Sequence, residues 1–242
     1  MRFAKSLSII FLLACIVMTP YAQEQDNVKL PDLTGPYAVG TVSHHLIDES
    51  RVEAFTPDDQ DDNRELMVQF WYPADAPDGA LPGLAWPDDA WIGEARGWSY
   101  YANVPDDFWE GWGTSTANAI SNAPLTDAGS RFPTLIFTHG GTGSSTLNLY
   151  LIEDLASHGY VVVGITHPFN SAAVRFPYGR VVTYNSKSGW IPLHTQDVRF
   201  VLDQLEALDQ GDVLGEMFAD RLDLSRVGVF GVSLGGTLLS VP

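Results

Sequence analysis

The stretch Val227-Gly228-Val229-Phe230-Gly231-Val232-Ser233-Leu234-Gly235-Gly236 places the tightest condition on how this chain can fold. Its first half is apolar and reads as a buried strand. Its second half is small and reads as the start of a helix, continued by Thr237, Leu238 and Leu239. The join is G-x-S-x-G, formed by Gly231, Ser233 and Gly235. A turn this tight leaves no room for a side chain on either side of the serine, and the serine itself takes a strained backbone conformation. The expected result is a hydroxyl held at the carboxyl end of a strand, facing a crevice. Ser233 is therefore the expected nucleophile, with Gly231 and Gly235 permitting its turn. An ordinary strand-to-helix turn with an exposed serine is the plainer alternative.

The chain before this turn alternates strands and helices. Val39–Ile47 reads as an edge strand, 48–63 as a polar loop, and Glu65–Tyr72 as a second strand stopped by Pro73. Phe132–Thr138 and Tyr160–Ile165 read as buried strands. Between them, Leu147, Leu151, Ile152 and Leu155 fall at helical spacing, and Gly159 ends that helix. Val174–Tyr184 reads as a hairpin turning at Tyr178-Gly179, and Val198, Val201, Leu202, Leu205 and Leu208 mark one helix face. Strand, helix, strand, helix, strand implies an α/β fold, a mostly parallel sheet with helices on both faces. Residues 75–130 depart from this pattern. They are rich in Trp, Pro, Gly and Asp, carry Trp86, Trp91, Trp98, Trp109 and Trp112, and are far longer than an ordinary connection. They read as an insertion whose tryptophans either cover an apolar pocket or pack the insertion onto the body.

The balance of 13 basic against 30 acidic residues gives a net charge of −17, which argues against nucleic acid and against anionic membrane surfaces. Asp58, Asp59, Asp61 and Asp62 lack regular calcium-loop spacing and read as a solvated loop. Arg2 and Lys5 precede the apolar run 7–18, and small and polar residues follow, so residues 1–22 read as a secretory signal peptide. Secreted or periplasmic location follows, with residues 28–242 as one domain and no stable membrane span. Cys15, the only cysteine, stands in a lipoprotein-like box, but the apolar run continues past it, which fits lipid attachment poorly.

Acyl transfer by a serine needs donors for the oxygen that becomes anionic. One is expected from the backbone N–H of Leu234, after the serine at a helix start. The other is expected from His139-Gly140-Gly141, after the earlier strand, with Gly141 as the donor and Gly140 beside it. His139 is expected to brace this loop rather than act as a base, and His167 to line the pocket. His44, His45, His158 and His194 read as surface or packing residues, and Asp203 and Asp223 as a helix face and a turn. No H-x-x-H or H-E-x-x-H spacing and no G-x-G-x-x-G after a first strand occurs, so neither a metal site nor a dinucleotide cofactor is indicated.

Several blocks carry a wider resemblance: 35–40, 70–73, 132–141, 154–160, His167-Pro168 with Asn170-Ser171, 197–205 and 227–236. In their number and order they resemble the α/β-hydrolase group of platelet-activating factor acetylhydrolases and their dienelactone-hydrolase-like bacterial relatives. The resemblance implies a nucleophile at Ser233 and oxyanion donors at Gly141 and Leu234. It also implies a triad Asp and His after the serine, so the chain reads as a C-terminally truncated hydrolase, its sheet incomplete and the fragment itself inactive. Relatives usually carry a histidine before the serine, where this chain has Val232. The expected function is a serine carboxylic-ester hydrolase for short-acyl esters or phospholipid acyl groups. The alternatives are a hydrolase-like protein that binds an apolar ligand without catalysis, and amide cleavage by the same serine.

Overall fold

The computed structural model describes residues 29–83, 89–97, 105, 109, 115–186, 190–212 and 216–237. The leader, Cys15, Trp86, Trp98 and Trp112 lie outside the described residues. Two long strands open the fold, β1 (Ala38–Val52) and β2 (Asn63–Ala74), paired antiparallel. They are followed by helix α1 (Asp89–Arg96), β3 (Ile120–Ser121), β4 (Phe132–Thr138), α2 (Leu149–Ser157) and β5 (Val161–Thr166). A separate hairpin, β6 (Ala173–Arg175) and β7 (Val181–Thr183), turns at Tyr178 and Gly179, both with positive φ. Helix α3 (Trp190–Asp209), β8 (Leu222–Gly231) and the short helix α4 (Leu234–Thr237) follow.

Among the described residues six strands form one sheet in the order β3-β1-β2-β5-β4-β8. Only β2 runs against its neighbours, so the sheet is mostly parallel. β4 and β5 are apolar along most of their length because both their faces are covered. Val161, Val163 and Ile165 pack with Val201, Leu205 and Leu208 of α3 on one face. Val162 and Phe137 pack with Leu149, Ile152 and Ala156 of α2 on the other.

Three boundaries differ from the sequence reading. β1 continues to Val52, so part of the expected loop is strand. The charged ends of 48–63 turn inward: Asp48 and Glu53 are buried, while Asp58, Asp59 and Asp61 are exposed. Pro73 lies within β2 opposite Val39. Pairing with β5 stops at Trp71, and beyond it residues 124–126 take over that side of β2, where Pro73 O accepts the Thr126 N–H at 3.0 Å, a bond that needs no donor from the proline. Within 75–130, β3 joins the sheet edge beside β1. Ala117 and Ala119 enter the core, held by the buried Glu153 carboxylate, which accepts the backbone N–H groups of Asn118 and Ala119.

Candidate active site

Parallel β5, β4 and β8 end along one edge of the sheet, which brings three loops together there: 167–172, 139–146 and the turn at 232–234. Ser233 has φ 52° in that turn and is exposed. The flanking glycines are required sterically. A Cβ on Gly231 would stand 2.6 Å from the Thr138 carbonyl oxygen, and one on Gly235 would stand 2.3 Å from the same atom. β8 therefore docks its turn directly on the end of β4.

Gly140 lies against the serine: a Cβ there would stand 3.2 Å from Ser233 Cβ and 3.8 Å from its Oγ. At Gly141 a Cβ would meet nothing within 4 Å, so the space above it is open. Among the described residues, neither the Gly141 nor the Leu234 N–H has an acceptor. The loop is laced to its neighbour: Thr142 N–H donates to Asn170 O at 2.8 Å, and Ala172 N–H donates to Thr142 O at 3.1 Å. Trp91 Nε1–H also donates to Thr142 O, at 3.0 Å. Trp91 and Trp109 pack with Ala95 and Ala172, so these two tryptophans fix the insertion to the body. Trp91 in addition walls a cavity of about 210 Å³ with Met67, Val68, Ala173 and Val174.

Both ring nitrogens of His139 are occupied. Nδ1 lies 2.6 Å from the Gly140 carbonyl oxygen, and Nε2 accepts the His167 backbone N–H at 3.0 Å. This sets the tautomer with the proton on Nδ1. Burial, with the neighbouring His167 adding to it, pushes the His139 pKa down to about 3. His167 is fully buried and lines none of the described cavities. Its Nδ1 lies 2.8 Å from Asp197 Oδ2, and its ring stacks on His194 at 3.7 Å. Burial holds the pKa of His167 and His194 below the ordinary histidine range. β4 stands between β5 and β8, so about 9–10 Å of sheet separates the His167 and Ser233 strands. A base must come within about 3 Å of the hydroxyl. Among the described residues no histidine is bonded to Ser233.

Beneath His167 is a charge cluster that the sequence reading did not identify. Arg64 grips Asp197 through Nε at 3.1 Å and Nη2 at 2.7 Å, and reaches Glu53 through Nη1 at 2.9 Å. Arg51 Nη1 lies 3.0 Å from Asp197 Oδ1, the oxygen that Arg64 Nε also holds. Burial alone would raise the Asp197 pKa, but Arg64 and His167 overcome it and hold the carboxyl well below the usual range. The local signal was available: Asp197 sits on the same helix stripe as the buried Val201, Leu205 and Leu208. A carboxylate on an apolar stripe needs a buried partner.

A strained serine at the carboxyl edge of a mostly parallel sheet, beside a glycine-bearing loop with free N–H groups, is the arrangement of an α/β-hydrolase. More narrowly, a family model for platelet-activating factor acetylhydrolase, isoform II, matches residues 22–204, and the chain belongs to that family. The platelet-activating factor acetylhydrolase of Cavia porcellus is 23% identical over 246 residues, covering 87% of this chain and 51% of that protein. The chain thus spans about half the length of this curated relative. Among solved structures, a ferulic acid esterase from Streptomyces cinnamoneus is 26% identical with a TM-score of 0.66, covering 88% of this chain and 57% of that one.

Proposed function

We propose that the protein is a serine carboxylic-ester hydrolase whose nucleophile is Ser233. Its oxyanion donors are the N–H groups of Gly141 and Leu234, and its substrates are short-acyl or phospholipid acyl esters. Ser233 Oγ bonds to the carbonyl carbon, the alcohol leaves with a proton, and water then releases the acid from the acyl-enzyme. The observation that carries this reading is the exposed Ser233 at φ 52° with both donor N–H groups free beside it. Family membership and the esterase neighbour support the ester-bond chemistry. Export by residues 1–22 belongs to the same proposal. No helix among the described residues is long and apolar enough to cross a membrane.

The test is covalent labelling with a fluorophosphonate, followed by peptide mapping. Label on the peptide containing Ser233, absent from Ser233→Ala, is the expected result. A folded full-length protein that takes up no label refutes it. One observation favours the rival reading of a ligand-binding protein without catalysis: Trp91 walls a cavity of about 210 Å³ with the apolar Met67, Val68, Ala173 and Val174. That reading expects no label, together with binding of an apolar ligand under Trp91.

A further inference from the structure

We propose that Arg64 and Asp197 are positioning residues for the oxyanion loop, acting on it through His167 and His139. The inference rests on the oxyanion role given above to Gly141.

The chain of contacts is continuous and has a direction at every link. The Arg64 guanidinium holds Asp197 by two bonds, at 3.1 and 2.7 Å. The free position of Asp197 Oδ2 faces His167 Nδ1 at 2.8 Å, so that nitrogen carries the proton. His167 is thereby fixed in rotation, with its ring stacked on His194. The His167 backbone N–H donates to His139 Nε2, which leaves the His139 proton on Nδ1, aimed at the Gly140 oxygen 2.6 Å away. Gly143 N–H holds the same oxygen from the other side, at 3.0 Å.

The last step follows from peptide geometry. The bond between Gly140 and Gly141 is trans and planar, so the Gly141 N–H points opposite to the Gly140 carbonyl. Drawing that carbonyl down toward His139 turns the Gly141 N–H up, into the open space beside Ser233. Without the clamp, two successive glycines have the conformational freedom to rotate this peptide the other way, which would present an oxygen to the developing anion. The buried charges thus select one of two peptide orientations about three contacts away. Every member is enclosed: Arg64, Asp197, His167 and His139 are at most 1% exposed. The bonds from Arg64 through Asp197 and His167 to His139 Nε2 are buried, so a lost partner there is not readily replaced by solvent.

The test compares wild type, Asp197→Asn, Arg64→Lys and Ser233→Ala in the full chain. Phosphonylation of Ser233 is followed over a range of fluorophosphonate concentrations, and imidazole and amide resonances are read by 15N NMR. In wild type the His139 proton should reside on Nδ1. In Asp197→Asn the limiting labelling rate should fall by about 100-fold, as expected for a displaced oxyanion donor. The half-saturating concentration should stay unchanged and the Gly141 amide resonance should move. Arg64→Lys keeps a cation beside Asp197 but loses the fork, so it should show a smaller loss in the same constant. If Asp197→Asn does not fold, Arg64→Lys carries the test. An unchanged limiting rate in a folded variant, or a wild-type His139 protonated on Nε2, overturns the proposal. If wild type takes no label, the nucleophile reading fails instead, and the imidazole and Gly141 resonances still decide the relay.

Discussion

Acid should unfold this chain early, and three buried imidazoles set how steeply. His139, His167 and His194 are at most 1% exposed. Burial is the first cause that holds each below the ordinary range, His139 at about 3. In the unfolded chain each takes up a proton near pH 6.5. Below that pH the unfolded state therefore binds more protons than the folded one. Stability is complete above about pH 6.5 and is lost as the pH falls, for His139 until about pH 3. Held at about 3 against about 6.5 in the unfolded chain, His139 alone puts about 5 kcal/mol at stake, with a limiting slope of about 1.4 kcal/mol per pH unit, and His167 and His194 act in the same direction. That is a large share of a total stability of roughly 5–15 kcal/mol. Glu153 acts in the opposite sense. Burial raises its pKa, so the folded state keeps that proton to higher pH and gains as the pH falls. The assay is urea unfolding by tryptophan fluorescence at constant ionic strength, in steps from about pH 7.5 to 5. Ordinary carboxylates, with pKa values of about 4, stay silent over that range. Glu153→Gln removes the opposing contribution and should steepen the fall. A stability that stays level across this range in both proteins would refute the reasoning.

Gly235→Ala should cost at least about 1–3 kcal/mol and abolish labelling at Ser233, because its Cβ would stand 2.3 Å from the Thr138 carbonyl oxygen and 2.6 Å from that of His139. Gly141→Ala, with nothing within 4 Å, should leave the urea midpoint unchanged. Trp91→Phe removes the bond to Thr142 O and should lower stability by about 1 kcal/mol, whereas Trp91→Ala should cost about 3–5 kcal/mol, both read by denaturant unfolding. Glu153→Ala strips the Asn118 and Ala119 N–H groups of their acceptor; hydrogen exchange at these two amides should accelerate, and an unchanged rate would remove Glu153 as the anchor of β3.

The serine turn was legible because its requirements are local: two glycines two residues either side of Ser233 are demanded by backbone sterics that no distant residue can relax. The buried strands around Ile136 and Val163 were legible for a similar reason, since an apolar run covered on both faces carries its own signature. Strand extent was less so. Pro73 stays in β2 because β5 has ended at that height and the segment that replaces it bonds only the proline's carbonyl, through Thr126 N–H, a condition set some fifty residues later in the chain. The charge cluster shows the difference most clearly. Asp197 on an apolar helix stripe announced that a partner must exist, but Arg64 is 133 residues away, and only the order β2-β5-β4-β8 brings them together. Short-range backbone constraints can be read along a chain, whereas the pairing of buried charges depends on which elements become neighbours, and that is decided only when the sheet assembles.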